Sequence, residues 1–406
     1  MCNTRLYTPL PDNVDDNKLK NDIIPQLNHI RNELDNGMAD DMQKLFPEGY
    51  FFSYCLYGLS WINISKQSAH ESEYYRRGLW EALFALQQLE SGKGRQVFSK
   101  SLEPAYGIFY KGWLNWLRGC ILSENRLNKD LERDFLLDCT AIARAFENNN
   151  SPYLESYPGR AWPCDSVVAM AVLSLHDRIY TPKYGTVMTE WLDKVKKSLD
   201  SETGLVAHET SPASGKIIHG ARGTSATLIL RFLPEIGDMD FAWKQYELFT
   251  QKYFSQVAGI PGILEYPVGM VGIAEQGGDV DSGPLLFGIS MSATGVMIGS
   301  SQVYKDYELR NPLLQTTEGL FYPAKFKKGN IEFKQYAFGV MPIGEVFLAW
   351  AKTSVLFVHD MVPKKYSNVI SDSWRIPVHC ISLLIVVLVL LPILFKSPKK
   401  DCAGNP

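Results

Sequence analysis

Apolar positions along this chain come in two alternating textures. One is an amphipathic stripe at helical spacing: Leu19, Ile23, Ile24, Leu27, Ile30 and Leu34 form such a stripe, and Tyr75, Leu79, Leu83, Leu86 and Leu89 form another. The second texture is an apolar run seeded with Ala, Gly, Ser and Thr, opened by a loop rich in Gly, Pro or aromatics. Runs of this kind begin near Tyr50, Ala105, Trp162, His219, Asp281 and Gly339. Their spacing of about 57 residues is that of a repeated supersecondary unit.

The unit reads as a helical hairpin, with the small-residue helix inside and the striped helix outside. Six hairpins close into a ring, so the pattern predicts an all-α (α/α)6 toroid whose mouth is a pocket. Inner and outer helices are expected at 50–64 and 73–91, 105–122 and 130–147, 162–178 and 184–199, and 219–233 and 239–255. The last two inner helices are expected at 281–302 and 339–356, with a short helix and a hairpin over 311–334. Residues 1–16 read as an extended N-terminal segment, 17–360 as the toroid domain, and 361–375 as a juxtamembrane linker.

The run IPVHCISLLIVVLVLLPILF at 376–395 carries no formal charge. A stretch of roughly 20 such residues spans a bilayer, so a single C-terminal transmembrane helix is expected, followed by a polar tail at 396–406. Lys364, Lys365 and Arg375 precede it and Lys396, Lys399 and Lys400 follow, which leaves the orientation open. With Met1 as the start no signal peptide is visible, which places the ring on the cytoplasmic face; Cys2 reads as an ordinary residue, its alternative being the remnant of a lipid-attachment site on a longer precursor.

A net charge of −3 removes the basic footprint that nucleic acid requires. The seven cysteines show no CxxC or Cys/His spacing, so neither a metal site nor a disulfide framework is expected, and no cofactor is called for. Aromatics at 12% serve either a cleft that stacks ring-like ligands or a large helical core.

Chemistry is expected where loops enter inner helices. ESYPGRAWPCDSVV puts Pro163 in a first turn and Asp165 just behind it, where the helix dipole favours a carboxylate. Tyr157, Arg160 and Trp162 crowd the same loop. EQGGDVDSGP supplies Asp279 and Asp281, with Asp281 or Ser282 as the expected cap and Pro284 in the first turn. The loop at 199–220 supplies Glu209 and His219, with Arg222 beyond it, and the loop at 259–283 supplies Tyr266. Tyr54 lies one turn into the first inner helix. Paired carboxyls across a cleft suit glycoside hydrolysis, one protonated to donate and one ionised to activate water or attack. Asp165 and Asp281 are the expected pair, with Glu209 in reserve. Tyr54, Tyr157, Arg160, Trp162, His219, Arg222, Tyr266 and Asp279 are the expected substrate-binding groups.

These features resemble the six-hairpin glycosidase superfamily over about 17–356. The LDSETGLV loop is similar to the Asp-x-x-Thr-Gly-Leu turn of such enzymes. The resemblance implies a membrane-anchored glycoside hydrolase acting on an oligosaccharide or small molecule, or a non-catalytic glycan-binding protein on the same scaffold. WPCDSVVAMAVLSLHD is also similar to linalool dehydratase/isomerase-like proteins, which share the toroid and act on a terpene alcohol through acid/base residues and cysteines. On that resemblance Cys164 and His176 are the alternative catalytic residues. A cleft lined by charged and stacking groups would favour sugar, and a Met- and Phe-lined cleft the apolar alcohol.

Overall fold

The computed structural model describes residues 2–7, 19–257, 259–269, 278–364, 370 and 372–394. Inner helices run over Gly49–Gln67, Gly107–Glu124, Pro163–Ile179, Gly223–Ile236, Met291–Val303 and Pro342–Thr353. Each packs on the next, and the sixth returns to the first, so the ring is closed. Outer helices Glu73–Leu89, Lys129–Glu147, Gly185–Lys197, Met239–Tyr253 and Tyr307–Leu320 follow the first five inner helices. The sixth outer helix, Ile24–Asp35, comes from the start of the chain and packs on the last inner helix. The architecture is the (α/α)6 toroid. Among the described residues, strands occur only as four two-stranded ribbons in the loops.

Small residues on inner helices let neighbours approach closely. A Cβ on Gly112 would lie 3.3 Å from the Asp165 carbonyl oxygen on the next helix. One on Gly299 would lie 3.0 Å from the Ala351 Cα. The lumen is filled by aromatics from facing helices: Trp113 meets Phe232 at 5.2 Å and Trp350 at 6.0 Å, centroid to centroid. Much of the aromatic content therefore goes to packing. The Asp200–Leu205 turn is locked by its own side chains, with the Thr203 hydroxyl donating to the Asp200 carboxylate at 2.6 Å and Gly204 at φ 72°.

Four expectations change. The fifth inner helix starts at Met291, ten residues late, with Ser290 as its cap, its hydroxyl accepting from the Ala293 N–H at 3.1 Å. Neither Asp281 nor Ser282 caps it. Leu285–Leu286 instead pairs with Ile289–Ser290 around Phe287 and Gly288, both at positive φ. The fifth outer helix is full-length, and the expected hairpin follows it as Ala324–Lys328 and Ile331–Gln335. The fourth inner helix begins at Gly223, beyond His219, which is spent on a β-ribbon. Cys2–Arg5 form a helical turn, while 8–18 lie outside the described residues.

The seam between chain start and last hairpin is held by buried charge. Asp22 receives Lys352 at 2.7 Å and Lys334 beside it, and Lys334 also reaches Glu318 at 3.1 Å. Burial alone would raise the Asp22 pKa, but the two ammonium groups hold it well below the usual carboxylate range. Removing one partner of a buried ionic set leaves uncompensated charge. Asp22→Ala is expected to cost about 3–5 kcal/mol, read as a lower urea midpoint. An unchanged midpoint would mean that the two lysines find other partners.

Candidate functional site

One cavity of about 540 Å³ sits at a single rim of the ring. The N-terminal ends of all six inner helices contribute to it: Glu48 and Phe52, Phe109, Cys164 and Asp165, Thr224 and Ser225, Met291 to Val296, and Glu345 to Leu348. Parallel inner helices direct their N-terminal dipole ends at this space. The remaining wall is mostly Phe, Leu, Ile, Val and Met, including Phe46, Leu228, Phe287, Phe321 and Met341.

Asp165 is 4% exposed and occupies the first turn of the third inner helix, behind Pro163 at the first helical position. The Ser156 hydroxyl donates to it at 2.6 Å, the Trp113 ring N–H at 3.4 Å, and the Cys164 thiol lies 3.8 Å away. Burial dominates these donors and pushes its pKa up to about 7, with the charge of Glu48 adding to the rise. Asp281 lines the same cavity from the loop that precedes the fifth inner helix. It is solvent-exposed at the cavity mouth, with protein crowding its carboxyl from the ring side. Burial first, then Asp279 and Glu48, raise its pKa to about 6.

Asp279 behaves oppositely. Burial works against its ionised form, but the Arg222 guanidinium at 2.6 Å and the Ser282 backbone N–H bring its pKa down to about 2. The two aspartates of the DVD motif are thus driven apart by their surroundings, which marks division of labour between carboxyls. Asp279 also accepts from the Asp281 N–H at 3.1 Å, so it shapes the loop that presents Asp281.

Tyr157 donates its hydroxyl proton to the Glu48 carboxylate. Burial and then Glu48 push the phenol pKa up, so Tyr157 keeps its proton and remains a donor. Burial, then the charges of Asp165 and Asp281, hold the Cys164 thiol well above its usual pKa, which makes it a neutral thiol and not a thiolate nucleophile. His208, 3.0 Å from the Ser225 hydroxyl, is pulled down to about 4 by burial and by Arg222, and so stands neutral at the cavity wall.

Of the residues anticipated above, Asp165, Asp281, Cys164, Tyr157 and Trp162 face the cavity. The others do not. Glu209 is buried against Arg160 and His219, at 2.8 and 2.7 Å. Burial works to raise its pKa, but the hydrogen bonds from Arg160 and His219 and the Arg160 charge outweigh it and hold the carboxyl below its usual range. It serves as an ionised strut between loop segments. Arg222 bridges the buried Glu265 at 2.8 Å to Asp279 and lies over the Tyr266 ring at 5.4 Å, so all three clamp the loop. Tyr54 turns outward onto Phe84. His176 sits near the C-terminal end of its helix, paired with Asp177 at 2.8 Å and packed on Tyr184.

Three further groups line the cavity: Glu48 and His208, from loops already expected to carry chemistry, and Glu345, which was missed. Glu48 directly precedes the first inner helix, His208 sits in the loop before the fourth, and Glu345 lies in the first turn of the sixth. Burial raises the Glu345 pKa to about 8; one oxygen accepts the Tyr336 N–H at 3.0 Å and the other makes no hydrogen bond among the described residues. The rule that singled out Asp165, an acid in the first turn of an inner helix, would have found Glu345.

No protein-family model matches the chain, and no curated protein does. Solved structures that resemble it in shape include these two. One is of a UGL variant with the saccharide dGlcA-Glc-Rha-Glc, at 12% identity and a TM-score of 0.45, over 73% of this chain and 84% of that one. The other is unsaturated glucuronyl hydrolase from Bacillus sp. GL1, described as responsible for the degradation of glycosaminoglycan, at 10% identity and a TM-score of 0.46, over 73% and 84%.

Proposed function

We propose that this protein is a membrane-anchored enzyme that breaks a C–O bond of an apolar alcohol by general acid–base catalysis, as a lyase or isomerase. The observation that carries it is the pairing of Asp165 and Asp281, both with raised pKa, in a cavity walled mainly by Phe, Met, Leu and Ile side chains. Such a wall offers an apolar chain a dry fit and few partners for a ring of hydroxyls. Asp165 in its acid form donates to the hydroxyl oxygen. The C–O electrons leave with water. Asp281 takes a proton from the neighbouring carbon, and the C–H pair becomes the double bond. Tyr157, fixed on Glu48, and the neutral Cys164 thiol line the path as further donors. For the anchor, the segment Ser373–Leu391 is long and apolar enough to cross a membrane and is almost wholly uncovered by the ring.

A second reading, glycoside hydrolysis by the same two carboxyls, is favoured by the edge-to-face corner of Tyr157 and Trp162, 5.8 Å between centroids, beside them. One experiment separates the two. The full chain in detergent is incubated with tertiary and allylic alcohols and, in parallel, with aryl glycosides. Alkene or isomerised alcohol, lost in both Asp165→Asn and Asp281→Asn, is the expected result. Sugar release alone would replace the first reading by the second, and inertness of every substrate would leave a binding protein.

A further inference from the structure

The C-terminal helix does more than leave the ring. Its first turns are seated on the cavity rim. The His379 ring lies 2.7 Å from the Tyr7 hydroxyl and 3.0 Å from the Asn3 amide, and the Ser382 hydroxyl donates to Asn3 at 3.0 Å. Arg375 donates to Gln315 at 2.6 Å. Gly259 has no room for a side chain, because a Cβ there would lie 2.7 Å from Pro377. With the helix held so, Ile381 becomes part of the cavity wall.

The rim beside Ile381 is apolar and bare. Phe287 is 77% exposed and lines the cavity with the half-exposed Leu286 and Leu320 and with Ile381; Phe338 and Val340, next to the lining residues Ala337 and Met341 in the chain, are 71% and 77% exposed. Large apolar side chains left exposed at the mouth of a cavity mark an interaction site. The backbone is strained to hold it: among the described residues Phe287, Tyr322, Ala337 and Phe338 all take positive φ without being glycine. Strain of this sort persists where surrounding structure enforces it, and it collects at functional sites.

We infer that this rim lies in the lipid bilayer and that the cavity draws its substrate sideways out of the membrane. The surface is continuous with an apolar helix whose natural surroundings are acyl chains, and that helix lines the opening. A bilayer therefore covers the patch without a further protein. The substrate class is a membrane-resident amphiphile, with an apolar chain along the Phe and Leu wall and a hydroxyl carried to Asp165 and Asp281. The assignment of chemistry rests on the reading above; the route of uptake does not need it.

The test uses the full chain in phosphatidylcholine nanodiscs containing hexadecanol. Phe287→p-benzoylphenylalanine, Phe338→p-benzoylphenylalanine and, on an outer helix, Leu137→p-benzoylphenylalanine are irradiated and analysed by mass spectrometry. Phosphatidylcholine adducts are expected at 287 and 338 and none at 137. The same substitution at Phe347, inside the cavity, is expected to yield a hexadecanol adduct. Absence of lipid at both rim positions, or chain-to-chain adducts there, would overturn the proposal in favour of a bare rim or a second copy. Lipid at the rim with no hexadecanol at 347 would overturn the lateral route. Lipid adducts at 287 and 338 and a hexadecanol adduct at 347, without turnover of any alcohol, would support the route and remove the C–O chemistry.

Discussion

Asp165→Asn is expected to lose between about 10² and 10⁴ in turnover, the usual worth of a positioned proton donor, while the folded state gains stability at alkaline pH. The second effect follows from the raised pKa. In the fold Asp165 titrates at about 7 against an ordinary 3.8. The folded chain therefore binds this proton more tightly than the unfolded one. The stabilisation is complete below about pH 3.8 and disappears as pH rises through 7. At about 1.4 kcal/mol per unit, the penalty above pH 7 has an upper bound of about 4 kcal/mol. Asparagine keeps an acceptor for Ser156 and never ionises. Urea midpoints at pH 5 and pH 8 should differ strongly for the native chain and little for the variant, with the variant more stable at pH 8. A residue acting only as a helix cap would show the reverse, a loss of stability with activity retained. In the same preparation, kcat/KM should rise through pH 6 as Asp281 ionises and fall above pH 7 as Asp165 does.

Gly295→Phe is expected to abolish substrate binding without unfolding the protein. Gly295 faces the cavity from the interior of the fifth inner helix, and a Cβ there meets nothing within 4 Å. A phenyl group would fill the space meant for the substrate. The helix loses a glycine, and even with the modest helix propensity of phenylalanine the exchange is worth a few tenths of a kcal/mol in its favour. Thermal stability should hold or rise while activity and hexadecanol retention vanish. Gly299→Phe, one turn along, makes the contrasting case. There the ring meets Ala351 and Ser354 of the next inner helix, and the fold itself should suffer. If both variants unfold alike, the cavity is not an open binding space.

The ring was legible because six runs of small residues recur at one spacing and because loops announce themselves through Gly and Pro. The fifth start was misplaced for a physical reason. Pro284 and its glycines look like a helix entry, yet Phe287 and Gly288 at positive φ turn the chain into a ribbon first. The first-turn rule located Asp165 because helix dipole and burial act locally. It overreached with Glu209, Arg222 and His219, whose roles are set by partners in other loops. Glu209 and Asp281 look alike in sequence, and only pairing separates the ionised strut from the carboxyl with a raised pKa. The apolar wall escaped notice because its side chains come from loops and inner helices far apart in the chain, with most of them in the last two hairpins.

The sixth hairpin joins the two ends of the ring, and this has a consequence for how the molecule is made. Asp22 waits for Lys352, 330 residues later, and Gln26 donates to the Glu345 carbonyl across 319 residues. During synthesis the first outer helix leaves the ribosome with its apolar stripe and its carboxylate unmatched until nearly the whole chain has followed. Five hairpins can stack as an open arc in the meantime, each closing on its predecessor through local contacts. Closure is then a late, long-range event, the kind whose loop entropy slows folding. An arc with two bare edges is also where a neighbouring nascent chain could insert its own first helix, so dense translation of this protein should favour helix-exchanged oligomers that never seal.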